Sequence, residues 1–395
     1  MAVKNVALIT APGLAKRLGD DLAEELPDLL SYYISEEYEW DVELYEDALA
    51  GGTNNSKEVL ESALKRKDNA GWDYAIALTD LPLFEEEKPI VAEVFKDRDV
   101  ALISFPGFGA VPMHKRVREA ILQLMNEIHF GSSDADREEA QQRIRSKDNR
   151  YDDLKNKKST TLVGKRMMEI VSPMKRETPG ESDPDIVVRF TLKSRITGLM
   201  RVVSGMVYAN RPWEMFAAFG KILVIAFTTG AYAFVFGTLW QLNTTYSIGR
   251  AVLMTVFSIL ALTLWIIFGH GLWEKKSEQS TRFIRNLYNA TTFFTLLLSV
   301  IMYYVILFTM FLIWTLFLQP PAQIESFTSE SVGLMTYLYT SWIGASISTI
   351  IGALGSYFED KEVVLNSTYG YRQQQRHERI EKLREQEEEE ENYKS

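Results

Sequence analysis

The chain has 395 residues and a formal net charge of −10, and 46% of its residues are hydrophobic. That acidic balance argues against a general nucleic-acid binder, and the absence of cysteine excludes disulfides, thiolate metal sites and cysteine nucleophiles. The length suffices for two domains, and the halves differ: residues 1–185 are charged and mixed, whereas residues 215–358 are mostly apolar.

Val3 to Thr10 (VKNVALIT) is short and rich in β-branched residues. It reads as a buried first strand, since it lacks the basic leader and cleavage site of a signal peptide. Ala11-Pro12-Gly13 breaks it. Leu14, Leu18, Leu22 and Leu26 then lay one apolar stripe along a helix, which Pro27 is expected to end or kink. Tyr38–Tyr45 alternates as a second strand. Asn55 or Ser56 suits the N-cap of a helix through Val59, Leu60, Ala63 and Leu64. Trp72–Leu78 is a third strand. Pro89–Phe95 and Val100–Phe105, joined by four charged residues, suggest a hairpin. Val117, Ala120, Ile121, Leu124, Met125 and Ile128 mark one face of another helix. Gly131 to about Ser159 is a charged insert, either a solvated helix or a disordered stretch, or else a partner-binding arm. Asp185–Leu192 adds a strand. Residues 1–192 therefore read as a cytosolic α/β domain, a mixed sheet with flanking helices.

The second half carries an uncharged run from Asn286 to Ile324. About 20 apolar residues span a bilayer core, so this run marks an integral membrane protein. Four transmembrane helices are expected, at about 216–240, 251–273, 290–318 and 331–358, making an all-α four-helix transmembrane domain. Lysine and arginine flank them on alternate sides. Ile186–Trp213 contains Arg189, Lys193, Arg195, Arg201 and Arg211 and no acid. Glu274–Asn289 contains Lys275, Lys276, Arg282 and Arg285, while Gln319–Glu330 has no base. This pattern predicts a multi-pass protein of the cytoplasmic (inner) membrane with both termini in the cytoplasm. The charged tail 359–395 includes five consecutive acids, Glu387–Glu391, and reads as solvated or partner-docking.

Residues 193–213 form a basic amphipathic connector in which Ile196, Leu199, Met200, Val203 and Met206 can share a face. It reads either as an interfacial helix on anionic lipid headgroups or as a helix packed on the soluble domain. Arg195, Arg201, Arg211, Trp213, His270 and Trp273 are the expected membrane-interface residues. Gly344, Ser348, Gly352 and Ser356 recur every four positions, which suits close helix packing within one chain or, alternatively, a seam or pore in a homo-oligomer.

In the soluble half, Gly107-Phe108-Gly109 follows a strand and precedes a helix bearing His114 and Lys115. A helix N-terminus beside bases can hold an anion, although a simple turn has the same pattern, and the dinucleotide and Walker signatures are absent. Asp80, at a strand end, is either a ligand-cleft acid or a satisfied turn residue. His114, His129 and His377 lack zinc spacing. No metal site, cofactor or catalytic set is implied.

Four strings, Ala77-Leu78-Thr79-Asp80-Leu81-Pro82-Leu83, Ala209-Asn210-Arg211-Pro212-Trp213, Gly269-His270-Gly271-Leu272-Trp273-Glu274 and Gly352-Ala353-Leu354-Gly355-Ser356, resemble an uncharacterised family of bacterial polytopic membrane proteins. The resemblance implies a bacterial origin and the two-part architecture and carries no catalytic residue over. The sequence favours a binding, regulatory or scaffolding role. The rivals are an oligomeric channel or transporter and a membrane-tethered enzyme using the region from Asp80 to Lys115.

Overall fold

The computed structural model describes residues 2–53, 55–96, 99–147, 150–151, 154–215, 219–274, 281–328 and 331–355. Ser356 and the charged tail lie outside the described residues. The chain divides into two units, one up to Ala209 and one from Asn210.

The first unit is built on a mixed sheet, β2-β1-β3-β6-β5-β8-β7, with β4 beside β5. Strands β1 (Ala2–Thr10), β2 (Tyr38–Glu46), β3 (Tyr74–Thr79) and β6 (Val100–Ser104) run parallel. Strands β5 (Lys88–Phe95), β8 (Ile186–Leu192) and β7 (Met174–Glu177) alternate antiparallel beyond them, and β4 (Leu83–Glu85) pairs with β5. The expected hairpin is the β5–β6 pair. Strands β3 and β6 are buried along their whole length, as continuous apolar runs in a covered parallel sheet must be.

Helix α1 (Leu14–Tyr33) buries the leucine stripe, including Leu18, Leu22 and Leu26. Pro27 does not end it. The stripe continues through the buried Leu29 and Leu30, and that burial holds the last turns despite the hydrogen bond the proline cannot make. Helix α2 (Ser56–Ala70) starts at Asn55, whose side chain accepts from the Lys57 backbone at 3.1 Å, and stops at Gly71 in a left-handed conformation. Helices α3 (Met113–Phe130), α4 (Asp134–Ser146), α5 (Met167–Val171) and α6 (Arg195–Ala209) complete the unit. The charged insert is thus partly an ordered helix, opened by a reciprocal Ser133–Asp136 capping box.

The second unit is helical: α7 (Pro212–Met215), α8 (Gly220–Val235), α9 (Thr238–Thr245), α10 (Ile248–Gly269), α11 (Arg282–Leu318), α12 (Pro321–Thr328) and α13 (Leu334–Gly355). Among the described residues, α10 and α11 are long and apolar enough to cross a membrane, and α8 with α9 makes a third if the pair is one span. The region of the expected span at 216–240 is bent by 79° between α8 and α9. Gly237 makes the corner at φ 75°, in the left-handed region that favours glycine. The indole of Trp240 donates to the Phe234 carbonyl at 3.2 Å across the break.

Helix α13 has the length of a span, but its apolar residues are interrupted by Thr340, Ser341, Ser346, Ser348 and Thr349, all buried. The unit's core gathers Phe219, Phe234, Trp240, Tyr303, Leu307 and Phe311. Its outer surface is apolar too, with Val224, Phe236, Leu253, Phe257, Phe268 and Phe317 exposed. Hydroxyls inside and hydrocarbon outside is an arrangement suited to lipid rather than water.

Candidate functional site

The residues singled out in the soluble half face different neighbours. Asp80 follows β3 and is 1% exposed. Its turn is closed by Leu81 donating to Thr79 Oγ1 at 3.1 Å and by Ser104 Oγ donating to the Leu81 carbonyl at 2.6 Å. His114 lies 3.9 Å from Glu25 of α1, and Lys115 is exposed.

Gly107 packs on Val91 of β5, and Gly109 seats helix α6. A Cβ on Gly107 would lie 2.8 Å from Val91, and one on Gly109 would lie 3.3 Å from Arg201 and Ser204. From the other side, a Cβ on Gly205 would lie 2.5 Å from the Pro106 carbonyl oxygen. Two glycine-bearing backbones thus meet at van der Waals distance.

Helix α6 is the predicted connector. It packs on its own unit through the buried Arg201, Val202, Met206 and Ala209, while Ile196 and Met200 face outward. Arg195 is exposed and pairs with Glu87. Arg201, expected at a lipid surface, is 1% exposed. It donates to the Ser172 carbonyl at 2.7 Å and to Glu169 at 2.8 Å. Burial pushes its guanidinium down to about 10, with Arg116 adding to the fall and Glu169 opposing it.

Helix α3 explains why the region after it is ordered. Arg116, Glu119, Gln123 and Glu127 lie three or four residues apart, on one face of the helix, and all four are buried. Arg116 donates to Glu169 at 2.9 Å. Glu119 binds the Arg166 guanidinium through both oxygens, at 2.7 and 2.9 Å. Gln123 donates to the Ser159 carbonyl at 2.5 Å, and Glu127 takes Arg176 at 2.9 and 3.1 Å. Pattern reading marks the apolar face of this helix and assigns no role to Glu119, Gln123 or Glu127. Their regular spacing, with Arg166, Glu169 and Arg176 further along the chain, was the available signal.

Glu119 also accepts the backbone N–H groups of Lys155 at 2.7 Å and Gly164 at 2.8 Å. Asn156 ties the same loop, donating to the Thr161 carbonyl at 2.7 Å and accepting from Thr161 Oγ1 at 2.8 Å. The loop so held borders a cleft of about 450 Å³. Lys155, Lys157, Lys158 and Lys165 line it, with Pro173 and Phe190 among its apolar walls. The lysines were not singled out in the sequence, where they merge into the charged insert.

In the helical unit, the small-residue face of α13 is filled from within the same chain. A Cβ on Gly344 would lie 2.6 Å from the Phe234 ring, and one on Gly352 would lie 2.8 Å from Tyr303 Oη. Ser348 faces Gly230, where an added Cβ would lie 2.2 Å from the serine oxygen. A hydroxyl network joins α10, α11 and α13: Trp342 Nε1 donates to Thr255 Oγ1 at 2.7 Å, and Ser346 Oγ lies 3.1 Å from Thr255 Oγ1 and 2.9 Å from Tyr304 Oη. Beside it opens a groove of about 820 Å³, lined by Tyr246, Tyr304, Phe308, Met335, Tyr339 and Trp342 among others.

The remaining predicted interface residues are local. Arg211 pairs with Glu214 at 2.5 Å, and Trp213 is partly exposed. His270 Nδ1 lies 3.1 Å from the Ile266 carbonyl at the end of α10, and Trp273 stacks on Phe268. Among the described residues, no group of three or more His, Cys, Asp or Glu side chains is placed to hold a metal ion.

No protein-family model, curated protein or solved structure matches the chain.

Proposed function

We propose that the chain is an integral membrane protein with a binding or regulatory role. In this reading the α/β unit lies in the cytoplasm of a bacterium, and the helical unit crosses the cytoplasmic membrane four times, through the bent α8–α9 pair, α10, α11 and α13. One observation carries the membrane assignment: the helical unit exposes large apolar side chains while burying threonine and serine hydroxyls. Water would select the reverse distribution. The orientation rests on the basic flanks before α8 and between α10 and α11.

A binding role is favoured over catalysis because the acids gathered on and beside α3 serve as ties. Glu119, Glu127 and Glu169 each bind arginine. A pore along the Gly344–Gly352 face is disfavoured, since Phe234, Ile222 and Tyr303 occupy it within one copy.

The natural absence of cysteine makes the test direct. Single thiols at Thr245 or Ser326 should react with a membrane-impermeant maleimide in intact cells. Thiols at Glu181 or Thr281 should react only after the cells are opened. Labelling of Glu181→Cys in intact cells would overturn the orientation, and recovery of the chain in the soluble fraction would overturn the membrane reading.

A further inference from the structure

We infer that the cleft bounded by Lys155, Lys157, Lys158 and Lys165 binds a small molecule through a phosphate group. This supplies a ligand class for the binding role proposed above and rests on that reading in this respect alone.

The first argument is charge. The protein is acidic overall, at −10, yet residues 155–166 contain four lysines and an arginine and no acid. Arg166 is committed to Glu119. The two other charged side chains in the cleft wall are committed as well: Glu169 to Arg116 and Arg201, and Arg176 to Glu127. Among the described residues, Lys155, Lys158 and Lys165 have no carboxylate within ion-pair distance. Ammonium groups gathered round one hollow repel one another, and an anion between them turns that repulsion into attraction.

The second argument is construction. The backbone that carries the lysines is fixed from beneath by Glu119, by Asn156 and by the buried Ser159, whose hydroxyl donates to the Arg137 carbonyl at 2.6 Å. A merely solvated lysine loop has no need of a buried carboxylate accepting two of its backbone N–H groups. Fixing the stems before a ligand arrives removes part of the ordering cost of binding.

The third argument is size and lining. About 450 Å³ falls within the ~300–1,000 Å³ of small-molecule sites. Lysine is a point-charge partner for phosphate. Thr160 and Thr161 add hydroxyls, and Pro173, Met174 and Phe190 offer an apolar wall. The ligand is therefore a compact molecule bearing a phosphate group. A nucleic acid is excluded by the cleft's size and by the repulsion of the acidic chain around it.

The phosphate can belong to a free metabolite or to a lipid headgroup, and titration calorimetry on the full-length protein in detergent separates the two. AMP and inorganic pyrophosphate probe the free form, and a short-chain phosphatidic acid probes the headgroup. At least one probe should bind at low salt and weaken as salt rises. The double variant Lys158→Gln/Lys165→Gln should bind it about tenfold more weakly or worse, whereas Lys65→Gln, on α2, should bind as the parent does. All replaced lysines are exposed, so the variants should melt as the parent does. Binding by the phosphatidic acid alone assigns the headgroup, and binding by the soluble probes assigns a metabolite. No binding by any probe, or equal binding by parent and double variant, would overturn the site. Either result would leave the thiol-labelling pattern intact, so failure here is distinct from failure of the topology.

Discussion

Arg201 of α6 donates to Glu169 of α5 at 2.8 Å with both side chains nearly closed off from water. Arg116 of α3 donates to the same oxygen at 2.9 Å, so one carboxylate joins three helices of the first unit. Replacing Arg201 with Leu would leave the Ser172 carbonyl without this donor and Glu169 with one guanidinium. The expected loss is about 3 kcal/mol in unfolding of the α/β unit, followed by circular dichroism in denaturant. A lipid-anchoring role for Arg201 predicts unchanged stability instead. Because its basic pKa is depressed, the unfolded chain binds the extra proton only above about pH 10. The loss should therefore be the same at pH 6 and pH 9.

Glu119 is the fastening of the lysine-bearing loop. Glu119→Ala removes the acceptor for two backbone N–H groups and leaves Arg166 without its bidentate partner. About 3–5 kcal/mol of stability should go with it. Trypsin should then cut at Lys155, Lys157, Lys158 and Lys165 far faster than in the parent. Unchanged digestion would mean that the loop is held by something other than this carboxylate.

His129 predicts a loss of stability in acid. Its ring packs among Tyr38, Trp40 and Tyr74, and Nδ1 lies 2.9 Å from Tyr74 Oη. Burial lowers its pKa, and Lys4 and Arg143 lower it further, against the opposing pull of Asp99 and Glu37. The unfolded chain therefore binds a proton near pH 6.5 that the folded chain refuses, and stability falls as pH drops through that value. The melting temperature of the parent should decline more between pH 7.5 and 5.5 than that of His129→Phe. Parallel declines would remove His129 as the cause.

Gly352→Leu and Gly344→Leu test which surface the small-residue face of α13 meets. The added side chains would run into Tyr303 and Phe234 of the same chain, and overpacking of this kind costs about 1–3 kcal/mol. Both variants should melt earlier in detergent with an unchanged oligomeric mass by light scattering. A changed mass with unchanged melting would return the face to a seam between copies.

The parts of this structure legible in the sequence are those where burial follows backbone periodicity. Leu18, Leu22 and Leu26 announce α1 because a helix repeats its inner face every three or four residues. Strands β3 and β6 stand out because a parallel sheet covered on both sides needs uninterrupted apolar runs. The parts left open are those where one local pattern serves two ends. A Gly-Phe-Gly between strand and helix can hold an anion or be a simple turn, and its approach to α6 shows only once Gly205, about a hundred residues later, packs against Pro106. The polar positions of α3 gain their meaning only when Arg166 and Arg176 return to meet them. The bend at Gly237 is invisible to hydropathy, because a glycine with positive φ is as apolar as one in a straight helix.

That bend bears on how thick a layer the first crossing can serve. The sixteen residues of α8 rise about 24 Å, short of the roughly 30 Å of hydrocarbon in an ordinary bilayer. In the proposed topology, either lipid thins around this helix or the corner sits below the headgroups. The second is tenable because the Phe234 carbonyl at the break accepts from both the Gly237 N–H at 3.3 Å and the Trp240 indole at 3.2 Å. Two donors on one carbonyl let the chain turn inside oil, and Trp240→Phe, which keeps an aromatic ring but removes the indole N–H, would leave that oxygen to Gly237 alone.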